Sequence, residues 1–541
     1  MKKKYIVGIT IGPIVETFQT ATFPAALWFC SNFFSDVARR ICVKTSGQDS
    51  AFCKNYGVAL LSLCLDLERE DGKYDDGVGR YNDRVILGVE IEEERVDALA
   101  DDLQRVVDDV KTEVVELFPI ESAVSDEKNV KERWTRFLKS YLQINFCIII
   151  EDENANPVLQ LTPYLDSLEL MRTFCGDDAD NPFVDLFLQE RRESNAAVKI
   201  SELFERISSK SAFMKQFLNG DRIRSIENVA QGPGEKDDEY QNLKKSVYYA
   251  IVYADGDNMG SFLKEYAVGE RAIFLKRFSE KCFDYNCEAA KAIGRFGGMT
   301  IYAGGDDLLF LAPIEGTLKN GSRGNLLDLF VELNKIFQEN LAESIGANSV
   351  NDKSRELPTL SFGVAVQYKK FPLYEAYDAA LKLLFGEAKK VPNKNAVALR
   401  VQKHSGQTFA ITTPIKEIAE LSNAFFSPST TETELDANKA SGAIQTLVAH
   451  KKMFKLLMEN APISSDSTSK ERDRERFKSA WNNFFDNEGQ AAAKSFTDKV
   501  ADYLFDHRDV TLDAVIQILQ YRKFLLEKKG EDEEDEGDEN A

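Results

Sequence analysis

Apolar positions along this chain follow two periods in a fixed order, and the order occurs twice. Residues 5–11 are a continuous apolar run ended by Gly12-Pro13, which predicts a strand. A helical stretch follows to about residue 43, with Phe18, Leu27, Phe33 and Val37 among its apolar positions. Residues 58–67 and 84–89 predict two strands joined by a polar loop, 69–83, rich in Asp and Gly. Val96, Leu99, Leu103, Val106, Val107 and Val110 lay a helical stripe along 91–118, and residues 143–151 predict a closing strand. Strand, helix, strand, strand, helix, strand is the ferredoxin-like order.

Residues 155–228 predict amphipathic helices, and 229–240 a linker containing Gly232-Pro233-Gly234 and a charge cluster. The first order then returns. Residues 247–254 are apolar or aromatic on both faces, which predicts a central, buried strand. A long helix over 259–293 leads to a hairpin of strands 299–303 and 308–312. A helix over 325–345, a strand over 359–367, a helix over 373–389 and a strand over 396–403 complete the second unit. From Pro414 the pattern is helical: 440–460, 470–485, 491–505 and 513–527. The fold expected is α+β: ferredoxin-like units over 1–152 and 241–412, a helical insert and linker over 153–240, a helical bundle over 413–529, and a disordered acidic tail over 530–541.

Composition agrees with this and adds one constraint. The chain of 541 residues is 43% hydrophobic and 29% charged, which excludes collagen-like, low-complexity and wholly disordered classes. It holds 89 acidic against 68 basic residues, a net charge of -21, and still -13 without the eight acids of 531–539. So acidic a chain is not a stand-alone, non-specific nucleic-acid binder, which needs cations to displace counterions. No apolar run approaches the roughly 18 residues of a membrane span. Pro13 and Glu16 interrupt the basic-then-apolar start before any export cleavage site. Eight cysteines without a Cys-x-x-Cys pair predict free thiols in a reducing cytoplasm, not a zinc site or disulfide framework.

Candidate chemistry concentrates in the second unit. Asp255-Gly256-Asp257-Asn258-Met259-Gly260-Ser261 ends a buried strand and opens a helix, while Gly304-Gly305-Asp306-Asp307 makes the turn of the next hairpin. Either motif alone reads as a solvated turn. At matching ends of adjacent strands they bring Asp255 beside Asp306 and Asp307, a hard, oxygen-rich site suited to Mg²⁺ or Mn²⁺ bridging phosphates. Gly304 and Gly305 let a triphosphate approach the backbone, and the amides of Met259, Gly260 and Ser261 are placed to hold phosphate oxygens. Asp257 reads either as a further ligand or as the cap of the following helix.

This constellation resembles the palm domain of nucleotide cyclases and polymerases, and more closely the large Cas-ten subunit of type III CRISPR effector complexes in its Cmr form. The residues that carry the resemblance are Tyr253 to Gly260, Tyr302 to Asp307, Ser361-Phe362-Gly363, Leu383 to Lys390, Lys394-Asn395 and Lys403-His404-Ser405-Gly406. At the N-terminus Ile9 to Pro13, Gly77-Val78-Gly79-Arg80 and Asp83-Arg84 are similar to the family's first, degenerate palm. The resemblance implies Asp255, Asp306 and Asp307 as metal ligands and catalytic residues. It also implies an ATP site lined by Gly256, Asp257, Asn258, Met259, Gly260, Ser261, Gly304, Gly305, Ser361 and Lys389 or Lys390. Its partners would be a handle-binding subunit, a small helical subunit, guide CRISPR RNA and target RNA, with no membrane.

Two departures narrow the expectation. The chain starts at the palm and has no His-Asp pair of the family's nuclease domain, so DNA cleavage by that route is not expected. The insert holds only Cys175, so the zinc site of some members is not expected either. The activity implied is joining of ATP into a signalling nucleotide, either cyclic oligoadenylate or an S-adenosylmethionine conjugate. For the latter, Asp66, Asp71, Asp75 and Asp76 offer negative charge to a sulfonium or amino group. The alternatives are a non-catalytic scaffold and a stand-alone diguanylate-type cyclase. The last would carry Gly-Gly-Glu-Glu-Phe or Gly-Gly-Asp-Glu-Phe where this chain has Asp306-Asp307-Leu308.

Overall fold

The computed structural model describes residues 2–61, 81–117, 127–171, 181, 183–184, 187, 218–219, 222–232, 246–266, 271–344, 357–426, 437–461, 467–485, 494–508 and 510–527. Strands β1 (Lys2–Gly12), β2 (Ala59–Leu60), β3 (Arg84–Glu92) and β4 (Gln143–Ile150) form one antiparallel sheet in the order β2-β3-β1-β4. Alternation along β1 sorts its side chains. Tyr5, Val7, Ile9 and Ile11 enter the main core with the helices Pro24–Ser46 and Val96–Val115, while Ile6 faces the other way. The helix Pro157–Glu169 covers that outer face with Leu161 and Leu165. Gly8 makes room for it, since a Cβ there would lie 3.0 Å from both leucines.

A two-residue hairpin, β5 (Leu218–Asn219) and β6 (Arg222–Ile223), precedes the second sheet. That sheet comprises β7 (Tyr248–Gly256), β8 (Met299–Gly304), β9 (Asp307–Pro313), β12 (Leu360–Tyr368), β13 (Ala396–Gln402) and β14 (Thr408–Pro414), ordered β14-β13-β12-β7-β9-β8. A side hairpin, β10 (Glu315–Thr317) with β11 (Arg323–Asn325), follows β9. The run β12-β7-β9-β8 repeats the fourth-first-third-second order of the first sheet, so the ferredoxin-like unit occurs twice, as the patterning predicts. Tyr248, Ala250, Val252 and Ala254 pack on the helices Arg271–Phe296 and Leu326–Ser344. Tyr249 and Ile251 face the opposite way, into a core shared with the first unit. Phe18 of the short helix Ile14–Thr20 meets Tyr377 of the helix Leu373–Gly386 edge-on at 6.0 Å, which ties the two units together.

The C-terminal helices Ile415–Phe426, Ala437–Ala449, Lys451–Asn460, Ser467–Asn482, Lys494–Asp506 and Leu512–Glu527 continue the second core. Phe524 sits 5.1 Å from the Tyr248 ring and 6.0 Å from Phe409. No helix among the described residues is long and apolar enough to cross a membrane.

Local pattern misplaces some boundaries. The stretch to residue 43 is two helices, because Pro24 starts a new one at the position where no N–H is needed. Residues 91 and 92 belong to β3, and the helix expected there begins at Val96 after a short 3₁₀ turn. The long helix of 259–293 is two, Met259–Tyr266 and Arg271–Phe296. The helix expected over 440–460 breaks at His450. The helix Glu127–Tyr141 and strand β14 were not anticipated. Gly77 to Arg80, the acids at 66, 71, 75 and 76, most of the insert and the acidic tail lie outside the described residues.

Candidate active site

Strand register builds the site. β7 ends on Asp255 and Gly256, with Asp255 paired to Ser361 of β12 and Ala254 paired to Leu308 of β9. β8 and β9 close through Gly305-Asp306, flanked by the Gly304–Asp307 pair. Gly305 has φ +61°, the left-handed geometry such a two-residue turn requires. Asn286 of the helix Arg271–Phe296 donates from Nδ2 to the Gly305 carbonyl at 3.3 Å and holds the turn from below.

The three carboxylates collect at this edge. The Asp255 charge raises the pKa of both Asp306 and Asp307, and Asp306 lies directly across Gly256. A Cβ at Gly256 would stand 2.5 Å from Asp306 Oδ2, so only glycine admits the carboxylate there. Burial, then the Asp255 charge, push Asp306 up to about 6, against the pull of its own amide, Lys389 and the Gly256 amide. Burial and the charges of Asp306 and Asp255 push Asp307 well above the ordinary carboxylate range. The three do not form a ready-made cage: among the described residues no group of three acidic, His or Cys side chains is arranged to hold a metal. The donor chemistry nevertheless suits a hard divalent cation: three neighbouring carboxylates whose mutual repulsion a cation would relieve.

Asp257 has a different place from its neighbours. Its side chain is 0% exposed and turned into the sheet, where it accepts from Thr359 Oγ1 (2.9 Å), Ser361 Oγ (2.9 Å), the Asn395 amide (2.9 Å) and Lys389 Nζ (2.8 Å). It neither caps the helix nor joins the other carboxylates. Asn258, with φ +60°, turns the chain, and its carbonyl receives the Phe262 amide. Gly260 and Ser261 are exposed at the helix start, with Met259 half-buried beside them. Ser361 is buried and committed to Asp257, so it lies beneath the site and does not line it. Of the two candidate lysines, Lys389 enters the group and Lys390 is exposed. Burial alone would lower the Lys389 pKa, but Asp255 and Asp257 outweigh it and raise the value.

A cavity of about 280 Å³ opens over the turn, between the two units. The first unit supplies Asp83 and Arg84, the second Met259, Asn286, Tyr302 and the Gly304–Asp307 turn. Arg84 is already occupied, by Asp166 at 2.6 Å and Glu169 at 2.8 Å, and Thr10 donates to Glu169 at 2.7 Å. Burial raises the pKa of Asp83, which Arg84 opposes. The Asn286 Oδ1 atom is buried with no hydrogen-bond partner. Asn286, Thr359 and Asn395 were missed from sequence because each is an isolated polar residue whose partner lies far along the chain. Asn395 alone had a signal, the Lys394-Asn395 pair before β13.

Fold and site define a palm-type domain: a ferredoxin-like sheet with acidic residues at the end of its first strand and in its second hairpin. Residues 248–398 match the family described as Cas10/Cmr2, second palm domain. The CRISPR system Cmr subunit Cmr2 of Pyrococcus furiosus is 26% identical over 184 residues, covering 30% of this chain. The alignment spans 19% of that relative's length. Among solved structures, the chain is similar in outline to a chain of the Csm1-Csm4 cassette in complex with cA4 (TM-score 0.49, 12% identity, 95% of this chain and 70% of that one). It is similar likewise to a chain of the type III-B Cmr-beta apo state (TM-score 0.47, 12% identity, 88% and 77% covered).

Proposed function

We propose that this chain is the catalytic large subunit of a type III-B (Cmr) RNA-guided defence complex, joining ATP into a signalling nucleotide when target RNA is bound. The observation that carries the reading is that Asp306 and Asp307 line a cavity walled by both palm units, with Asp255 beside them and paired to Lys389. Mg²⁺ or Mn²⁺ held by Asp255 and Asp307, with Asp306 alongside, would polarise the α-phosphate and ease deprotonation of the attacking 3′-hydroxyl. The new bond joins that oxygen to the α-phosphorus, the bond to the β-phosphate oxygen breaks, and pyrophosphate leaves. The exposed turn from Asn258 to Ser261 presents backbone amides to phosphate oxygens. The apolar wall with Met259 and the unpartnered Asn286 Oδ1 suits a base bearing an amino donor, as adenine does.

The acceptor wall bears on the product. Asp83 lies in it, and the neighbouring Arg84 is taken by Asp166 and Glu169. That negative wall favours the cationic sulfonium and amino groups of S-adenosylmethionine over a second triphosphate. The assembled complex, given labelled ATP and target RNA with and without S-adenosylmethionine, decides by product mass. A new S-adenosylmethionine-dependent mass supports the conjugate. An unchanged mass leaves cyclic oligoadenylate. Asp306→Ala/Asp307→Ala is expected to abolish either product, by more than about 100-fold, while the complex still assembles. Retained turnover in that variant, or none in the wild type, would leave the scaffold reading.

A further inference from the structure

Lys389 follows the helix Leu373–Gly386 in a short 3₁₀ turn and points back under the end of β7. Its ammonium donates to the carbonyls of Asp255 (2.9 Å) and Gly256 (2.7 Å) and to the Asp257 carboxylate (2.8 Å). These three hold it from below. It also pairs with the Asp255 carboxylate, the contact that faces the catalytic edge. The lysine side chain is 12% exposed and that of Asp255 25%. Asp257 is fixed in turn by Thr359, Ser361 and the Asn395 amide, so the ammonium cannot drift without breaking a buried network. Residues 393–395 all have positive φ, between 47° and 63°, which brings the Asn395 amide onto Asp257. A chain holding three non-glycine residues left-handed to anchor one carboxylate is over-determined at that point.

This arrangement puts a protein cation against Asp255, which is also an expected metal ligand. We infer that Lys389 is a resident counter-ion for the Asp255 carboxylate, positioned by Asp257 and Ser361, and that it competes with a divalent cation for Asp255 until nucleotide phosphates give the ammonium another partner. The inference rests on the metal-dependent reading of the site above. It makes binding of metal alone weak and binding of metal with nucleotide strong. It also assigns Asp257 a positioning role, where the sequence offered ligand or helix cap.

The probe is Mn²⁺ alone, titrated into the purified full-length chain and followed by electron paramagnetic resonance, then repeated with a non-hydrolysable ATP analogue. Lys389→Met is expected to tighten Mn²⁺ binding without nucleotide by about tenfold, equivalent to roughly 1.4 kcal/mol. With the analogue it should weaken nucleotide binding. Lys389→Arg, which keeps the charge, should restore weak Mn²⁺ binding. Lys390→Met removes the same charge without the contact and should stay within about twofold of wild type. Lys389→Met/Asp257→Asn leaves the net charge of the site unchanged and no buried carboxylate unpaired. It should still tighten Mn²⁺, and it carries the test if the single variant does not fold. Mn²⁺ affinity unchanged or weaker in Lys389→Met and in Lys389→Met/Asp257→Asn, with analogue-dependent Mn²⁺ binding intact in the wild type, overturns the inference alone. No Mn²⁺ binding in any variant, with or without the analogue, overturns the metal reading and the inference together.

Discussion

Asp306 is opposed in its ionisation by burial and by the Asp255 carboxylate, with Lys389 and two backbone amides only partly offsetting them. A carboxyl whose pKa is raised in the fold binds its proton more tightly there than in the unfolded chain. Its ionisation therefore costs the fold nothing below the unfolded value near 4, costs more as pH rises, and costs most above about 6. Asp306→Asn removes that penalty. The variant is expected to gain on the order of 1–3 kcal/mol over wild type at pH 7.5 without metal, with the gap closing toward pH 4. Melting curves across that range measure it. A variant less stable than wild type at pH 7.5 would show that the carboxylate is not strained. The same substitution should lose nucleotidyl transfer, because the strain that a carboxylate cluster places on the fold is what a divalent cation would relieve.

At the scale of elements, the helix Leu373–Gly386 matters because it delivers Lys389. It lies flat on β12, and Gly363 is what lets it do so. A Cβ at Gly363 would collide with the Ala380 carbonyl and the Leu384 amide, both backbone atoms of that helix. Gly363→Ala is expected to lift the helix, destabilise the chain by about 1–3 kcal/mol and displace Lys389 from Asp257. Measured together, thermal stability and Mn²⁺ affinity should both change. A variant with wild-type values for both would mean that the helix does not fix the lysine. The second sheet was legible to within two residues at most strand ends, since strands such as 247–254 are apolar on both faces and bounded by Gly and Asp. The helix Glu127–Tyr141 was not, because Trp134, Leu138 and Tyr141 are sparse among its charges. β14 reads Thr-Phe-Ala-Ile-Thr-Thr-Pro, a short β-favouring stretch directly before the helical region, and it pairs with β13 along its whole length. Within the site, Asp255, Asp306 and Asp307 could be found because short motifs carry them. The role of Asp257 could not be, since it depends on Ser361, Lys389 and Asn395, more than 100 residues away.

Among the described residues, one core joins the two palm units and another joins the C-terminal helices to the second, so the acidic edge is enclosed by parts distant in sequence. What encloses the cavity is acidic as well. Asp83, Asp306 and Asp307 line it, and the chain as a whole carries a net charge of -21. RNA brings a dense phosphate charge, and binding it without sequence readout depends on releasing counterions by cations on the protein. Here many of the described lysines and arginines are already paired. Arg40 and Lys44 bond Asp36 or Glu113, and Arg474 and Lys478 bond Asp502 and Asp506 across two C-terminal helices. Exchanging such a pair for a phosphate leaves a carboxylate behind and gains little. The isolated chain is therefore expected to bind guide or target RNA more weakly than about 10⁻⁶ M at physiological salt, with other subunits supplying the basic surface. Filter binding with the full-length chain checks this, at low and at physiological salt. Saturable nanomolar binding by the isolated chain at physiological salt would show that a local basic surface overcomes the net charge, and that RNA contacts this chain directly.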